Sequence, residues 1–329
     1  MPLSERKLIE RIARLASARS AKLPLIRTGI GDDCAVLRPP PGQELLLTTD
    51  FSLEGVHFRR EWHPPNLVGH RCLARGLSDI AAMGGKPLAA FLSLALPANL
   101  PQRWVDGFFT GMLALARQFG VALAGGDLAQ SPVQGKYPGR VLADIMVVGA
   151  VPVGKAVLRS GARPGDRIYL TGSLGAPAAV VSALYAGGKV SGKDRRLMQP
   201  SPRVAVGIFL RQRGLAQSMI DVSDGLSTDL SHICESSRVS AEIVSESLPR
   251  GTFNGQPVSL EMALHGGEDY QLLFTARPHA RIPRGIAGVP VTEIGRITRA
   301  TGNRHMFLIH NGRRRVLPVR GWEHFTRGT

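Results

Sequence analysis

The alternation of apolar and polar positions divides the chain into short strands and helices. Leu8, Ile9, Ile12 and Leu15 recur at helical spacing and predict an amphipathic first helix that turns these four inward. Two short strands follow, over 34–37 and 45–49. Between 66 and 83, Leu67, Cys72, Leu73, Leu77, Ile80 and Ala81 again keep helical spacing, and Gly84-Gly85 stops the helix. A buried strand over 88–96 and a helix over 104–119, closed by Gly120, come next. Strands over 121–124 and 141–148 complete this half, with Gly125-Gly126-Asp127 read as a turn between them.

The texture changes at Val151-Pro152-Val153-Gly154 and again across 161–165. A domain boundary is therefore placed near residue 151, giving domains 1–150 and 151–329. The second half reads as a strand over 167–171, an apolar helix over 176–186, a polar connection to Pro202 and a helix over 204–213. A short strand over 219–222 ends in Asp221-Val222-Ser223-Asp224-Gly225. The helix over 226–236 follows, with Ser223 or Ser227 available to cap it. Strands over 270–275 and 292–298 lead to a hairpin over 306–317 that turns at Asn311-Gly312. Alternating strands and helices without a solenoid-type repeat argue for an α/β or α+β layer structure.

Composition narrows the function classes. At 329 residues and 43% hydrophobic, the chain can bury the core of one large or two medium domains. A net charge of +16 raises nucleic acid, a membrane surface and anionic small substrates as partners. The arginines are scattered, as in Arg59-Arg60, Arg195-Arg196 and Arg313-Arg314-Arg315, and no recognition motif accompanies them. A solvated basic surface is the favoured reading, with neither nucleic acid nor membrane as partner. Cys34, Cys72 and Cys234 lie far apart and form no C-x-x-C pair, which argues against a disulfide framework or a zinc site and fits a reducing cytoplasm. No apolar run is long enough to span a bilayer. Glu5 and Glu10 count against a transit peptide in the first helix.

The chemistry concentrates in aspartates set beside glycines or small residues. These are Gly29-Ile30-Gly31-Asp32-Asp33, Thr48-Thr49-Asp50, Leu77-Ser78-Asp79, Gly125-Gly126-Asp127, Asp221-Val222-Ser223-Asp224-Gly225 and Gly266-Gly267-Glu268-Asp269. Any one of them is explained as a turn or cap residue. Their recurrence suits magnesium, which takes oxygen ligands and is usually shared between carboxylates and substrate phosphates. Asp33, Asp50, Asp79, Asp127, Asp221 and Asp224 are the candidate ligands. Glycines beside them let phosphates approach the backbone.

Gly149-Ala150-Val151-Pro152-Val153-Gly154-Lys155-Ala156 fits G-x-x-x-x-G-K. It is rejected as a P-loop, because Ala156 stands where Ser or Thr is needed and Pro152 removes an amide. Gly172-Ser173-Leu174-Gly175 follows a strand and opens a helix, so it either packs that helix or offers amides to an anion. No G-x-S-x-G elbow supports a serine hydrolase, and the histidines form no zinc set. His57 is explained as a structural or surface residue. Trp322 either plugs the end of the core or offers a stacking platform for a cationic heterocycle.

These motifs, with Ile80-Ala81-Ala82-Met83-Gly84, Arg159-Ser160-Gly161-Ala162 and Tyr270, occur in an order that resembles the bacterial thiamine-monophosphate kinases. The resemblance runs from about residue 5 to the Trp322 tail. That family groups with aminoimidazole ribonucleotide synthetase, selenophosphate synthetase and the hydrogenase-maturation dehydratase. It implies an α+β protein of two domains with the aminoimidazole ribonucleotide synthetase-like fold. The N-terminal sheets of two subunits would pair in a homodimer, the C-terminal domain would be α/β, and ATP would bind in a cleft between the domains. The implied reaction converts ATP and thiamine monophosphate to ADP and thiamine diphosphate by direct in-line transfer, with no covalent nucleophile. By position, Asp33, Thr48, Thr49, Asp50, Asp79, Asp127, Asp221 and Asp224 would hold several Mg2+ ions. Gly126, Asp127, Arg159 and Ser223 would bind ATP. His57, Glu268 and Trp322 would contact thiamine monophosphate. The match departs at Gly76, where relatives often carry Asn, and at Phe51-Ser52-Leu53; neither change removes an implied ligand.

Two alternatives stand beside this reading. Another ATP-dependent enzyme of the superfamily would act on a different acceptor. However, residues 1–28 lack the reactive cysteine that selenophosphate chemistry needs, and the tail from Gly321 lacks the one expected of the hydrogenase-maturation enzyme. A non-catalytic relative that binds nucleic acid would show salt-sensitive binding, and its acidic motifs would repel a phosphate backbone.

Overall fold

The computed structural model describes residues 3–19, 25–30, 34–133, 135, 139–300, 306–323 and 325. The chain forms two compact units. The first runs to Gly154 and the second from Lys155, with Ala81–Gly84 counted in the second.

The first unit contains α1 (Glu5–Arg19), β1 (Ile26–Thr28), β2 (Val36–Leu37), β3 (Gln43–Leu53), α2 (Pro65–Ala82), β4 (Lys86–Leu96), α3 (Gln102–Phe119), β5 (Ala122–Gln130) and β6 (Leu142–Pro152). Its sheet has the order β3-β6-β4-β5, with β4 and β5 parallel and the other pairs antiparallel. Val151 and Pro152 are still paired with Glu44 and Gln43. In α1 the buried stripe is Leu8, Ile12 and Ala16, at i, i+4 and i+8. Ile9 is 38% exposed, so the four-residue inward face predicted for this helix is narrower than expected. Arg11 fixes α1 to α3 through a forked pair with Asp106, at 2.7 and 2.9 Å. Helices α2 and α3 meet backbone to backbone. A Cβ on Gly69 would stand 1.9 Å from the Phe108 carbonyl oxygen, and one on Gly111 would stand 1.8 Å from that of Asn66.

The second unit contains β7 (Arg167–Thr171), α4 (Ala176–Tyr185), α5 (Gly192–Arg195), α6 (Val204–Gln212), β8 (Ser218–Val222), α7 (Leu226–Ser237), β9 (Ser240–Val244), β10 (Thr252–Phe253), β11 (Gln256–Pro257), α8 (Leu260–His265), β12 (Gln271–Ala276), β13 (Gly285–Ile286), β14 (Val289–Thr298), β15 (Met306–His310) and β16 (Arg313–Val316). The main sheet has the order β16-β15-β9-β14-β7-β12-β8. Its core packs Ile168, Leu170, Ile220, Val222 and Leu273 with Leu226, Leu230, Ile233 and Cys234 of α7, the helical stripe i, i+4, i+7, i+8. Burial pushes the thiols of Cys234 and Cys72 up to about 12. Asn311 and Gly312 both have positive φ, 49° and 71°, as the predicted two-residue hairpin requires.

Glu242 of β9 ties three strands together. It accepts from Arg296 of β14 at 2.8 Å and from Arg314 of β16 at 2.8 Å. Burial raises its proton affinity, but the hydrogen bonds and charges of the two arginines outweigh that and hold the carboxyl below its usual range. A depressed carboxylate stabilises the fold above its unfolded value of about 4.3 and loses that contribution as pH falls through the folded value. Glu242→Gln should therefore unfold at lower urea than the parent at pH 7. Between pH 5 and 3 its stability should fall less steeply, as read by urea titrations across that range. Parallel slopes for the two proteins would refute this account of Glu242.

Candidate functional site

Strand β3 presents its two faces to different tasks. Leu46, Thr48, Asp50 and Ser52 turn toward α2, and Leu45, Leu47, Thr49 and Phe51 turn away. The Thr48 hydroxyl donates to the Asp79 carboxylate on α2. Asp50 follows one pleat later, opposite Ile145 of β6. Gly76 makes this approach of α2 possible, because a Cβ there would stand 2.6 Å from Val147 Cγ2. An asparagine at that position would need the helix to shift. His57 closes the turn after β3, its Nδ1 accepting the Leu53 N–H at 3.0 Å.

The structure corrects the reading of Gly125-Gly126-Asp127 as a turn. These residues lie inside β5, paired with Phe91, Leu92 and Ser93 of β4, after a register shift between Ala90 and Phe91. Gly126 has φ of 153°, and a Cβ there would stand 2.0 Å from the Leu92 carbonyl oxygen. The glycines let the strand bulge and press on its neighbour. Asp33 lies outside the described residues. Gly29, Ile30 and Cys34, which flank that segment, border a cavity of about 800 Å³ together with Gly125, Gly126 and Asp127. Gly29 and Ile30 of the first motif and all three residues of Gly125-Gly126-Asp127 therefore line one cavity.

Asp127 is on the sheet face opposite Thr48 and Asp50. The register sets Phe51, Asp144, Ser93 and Asp127 side by side. Asp144 was not expected in this row, because its motif, Ala143-Asp144-Ile145, reads as an ordinary apolar strand. Burial raises its proton affinity.

In the second unit three segments meet at the end of β8. The first is 221–225, which carries Asp221, Ser223 and Asp224. The second is 266–270, where the Glu268 N–H donates to the Ser223 carbonyl at 2.7 Å and the Tyr270 N–H to that of Val222 at 2.8 Å. The third is the tail, where the Trp322 N–H donates to the Asp224 carbonyl at 2.9 Å. A Cβ on Gly267 would stand 2.4 Å from the Ser223 carbonyl oxygen, and one on Gly321 would stand 2.3 Å from that of Asp224. Glu268, Trp322, Ser223 and Asp224 are thus brought together. Trp322 is 53% exposed, so it does not plug a core. Glu268 and Tyr270 both adopt positive φ, 72° and 50°, and the Tyr270 hydroxyl donates to Glu268 Oε2 at 3.2 Å. The Arg159 backbone is not part of this cluster. Its carbonyl accepts from Ser237 at the far end of α7, a helix of 12 residues.

Two carboxylates outside the candidate ligand set organise the cluster, Asp229, which the sequence reading missed, and Asp269 of the last aspartate motif. Neither Ser223 nor Ser227 caps α7. Asp229, in its first turn, reaches back and accepts the N–H groups of Ser223, Asp224 and Gly225 at 3.1, 3.2 and 3.1 Å. Burial, then the charges of Asp221 and Asp224, push its carboxyl well above the usual range, against the pull of those backbone N–H groups. Asp269 accepts the Gly175 N–H at the start of α4 with both oxygens, at 2.9 and 3.0 Å. Burial raises its proton affinity too, opposed by that N–H and reinforced by Glu268. The signal for Asp229 was its first-turn position beneath a glycine-led start.

Comparison with known proteins decides the family. Residues 31–151 match the AIR synthase related protein N-terminal domain, and residues 163–307 match its C-terminal domain. The thiamine-monophosphate kinase of Escherichia coli K12 is 37% identical over 321 residues, 93% of this chain and 94% of that protein. The chain belongs to the thiamine-monophosphate kinase family. Two solved structures share the fold of this family. The thiamine-monophosphate kinase of Stenotrophomonas maltophilia K279a superposes with a TM-score of 0.80 at 35% identity, covering 95% of this chain and 98% of that one. AaThiL complexed with AMPPCP and TMP superposes with a TM-score of 0.73 at 30% identity, covering 99% of each.

The donor set of this kinase-family chain fits magnesium. Among the described residues no three His, Cys, Asp or Glu side chains are grouped closely enough to hold a metal alone. Asp229 is committed to backbone N–H groups, and the charges of Asp221 and Asp224 both bear on it. One or two carboxylates completed by substrate phosphates is the usual magnesium arrangement. Asp229→Ala would strip the acceptor from three backbone N–H groups. It should lower stability by about 1–3 kcal/mol and speed hydrogen exchange at the amides of Ser223, Asp224 and Gly225. Exchange as slow as in the parent would show that Asp229 does not hold the loop.

Proposed function

We infer that the protein transfers the γ-phosphoryl group of ATP to thiamine monophosphate, giving ADP and thiamine diphosphate. The observation that carries this reading is the convergence of Asp221, Asp224, Glu268 and Trp322 at one end of the second unit, in a chain of this family. AaThiL has been solved with AMPPCP and TMP together, which supports the same pair of ligands here. Trp322 is exposed enough to stack on a cationic thiazolium, and Glu268 lies beside it to offer charge. Gly125 and Gly126 expose backbone beside the cavity of the first unit, where a nucleotide could approach.

Asp33, Thr49, Asp50, Asp79, Asp127, Asp221 and Asp224 would hold magnesium ions, with Thr48 nearby. Bound there, the ions would neutralise two phosphate groups that otherwise repel. Ser223 and Arg159 would meet ATP, and His57 would meet the acceptor. No protein nucleophile is needed for in-line transfer. The buried thiols of Cys72 and Cys234 support a reducing cytoplasmic setting.

The first unit also supports a dimer. β3 is an 11-residue edge strand whose outward face carries Leu47, 65% exposed, and Phe51, 59% exposed. An edge that long and apolar calls for a cover, and a second copy of the same sheet would supply one. Sedimentation should report a dimer, and Phe51→Glu should shift it toward monomer. A parent that sediments as a monomer at micromolar concentration would end this proposal.

The activity is tested by ADP release with magnesium and ATP, with and without thiamine monophosphate, beside free thiamine. Release should require the monophosphate and yield thiamine diphosphate. Asp50→Asn should lower turnover by roughly two orders of magnitude while leaving the unfolding curve unchanged. Near-parental turnover in that variant would remove Asp50 from the metal set.

A further inference from the structure

We propose that Arg203 binds a phosphate group carried by one of the two substrates. The inference rests on the kinase reading and adds a residue to it. Arg203 precedes α6 and is half-buried. Its Nε donates to Gln271 Oε1 at 2.8 Å, and that neutral amide is its one side-chain partner among the described residues. The terminal nitrogens of the guanidinium have no partner there, and no Asp or Glu pairs with it. Burial alone draws its proton affinity down, with no neighbouring charge in opposition. Arg11, Arg60, Arg296 and Arg314 are each neutralised by a carboxylate of the fold: Asp106, Glu54 and, for the last two, Glu242. A guanidinium withdrawn from water without a carboxylate is the arrangement expected where the counter-ion is a ligand.

The surroundings hold the guanidinium in a fixed orientation. The Leu272 N–H donates to Thr171 Oγ1 at 2.8 Å, the Thr171 hydroxyl donates to Gln271 Oε1 at 3.0 Å, and Arg203 donates to the same oxygen. Gly172, with φ of 60°, leaves the room this amide fills, since a Cβ there would stand 2.4 Å from Gln271 Oε1. Gln271 pairs with Val222 of β8, directly after Asp221, and follows the loop that carries Glu268. The fork of Arg203 is therefore anchored at the end of the sheet where the site residues gather. The Gly172-Ser173-Leu174-Gly175 turn is not itself the anion cradle, because the Gly175 N–H is already taken by Asp269. A planar fork with both terminal nitrogens available matches two oxygens of one phosphate.

The test is calorimetric titration of the full-length parent, Arg203→Met and Arg203→Lys with AMPPCP plus magnesium, with thiamine monophosphate, and with thiamine. Arg203→Met should weaken one phosphate-bearing ligand by at least about tenfold and leave thiamine unchanged. The ligand that weakens identifies whose phosphate is held. Arg203→Lys keeps the charge and loses the fork, and should weaken the same ligand by at least about threefold; it decides the matter alone should Arg203→Met fail to fold. Both variants binding both ligands within about twofold of the parent would overturn the role of Arg203 and leave the kinase reading standing. A parent that binds neither phosphate ligand would overturn both.

Discussion

The second unit depends on backbone contacts between loops that have no room for side chains. Glu268 N–H to Ser223, Tyr270 N–H to Val222 and Trp322 N–H to Asp224 draw three distant segments into one rim. Gly225, Gly267 and Gly321 each sit where a Cβ would fall within 3 Å of a neighbouring carbonyl oxygen. Once the main chains are that close, the side chains of Ser223, Asp224, Glu268 and Trp322 have little freedom in where they project. Asp229 then turns a loop of repelling aspartates into an ordered one by taking up its N–H groups.

The high positive charge is spread over the surface and through several structural pairs. Arg296 and Arg314 close on Glu242, and the Arg314 guanidinium lies 3.3 Å from the Phe307 ring centroid. Arg11 fastens α1, and Arg60 meets Glu54. Arginine beyond these pairs is what leaves the chain at +16. Arg203 belongs to neither group, being half-buried with the Gln271 amide as its side-chain partner among the described residues.

Much of the fold was legible because long periodic segments announce themselves. The helices at Pro65–Ala82 and Gln102–Phe119 and the strand at Arg167–Thr171 follow directly from apolar spacing. Short elements such as Leu260–His265 and Ser240–Val244 carry too few apolar repeats to show. Gly125-Gly126-Asp127 misled because glycine marks both a turn and a bulged strand, and only the partner strand distinguishes them. The candidate site was legible as a set of motifs, with their order carrying the family. What linear order could not reveal is geometry: Asp144 stands in one row with Phe51 and Ser93, both far from it in sequence.

Glu268 and Tyr270 hold left-handed backbone on either side of Asp269. Glycine would adopt that shape without steric penalty, and this chain uses glycine freely wherever space is short. At these two places it has kept a carboxylate and a phenol, joined by a hydrogen bond, despite the conformational penalty. The loop is therefore a spring held under load, and the side chains that keep it loaded are what the chain would forfeit by relaxing it.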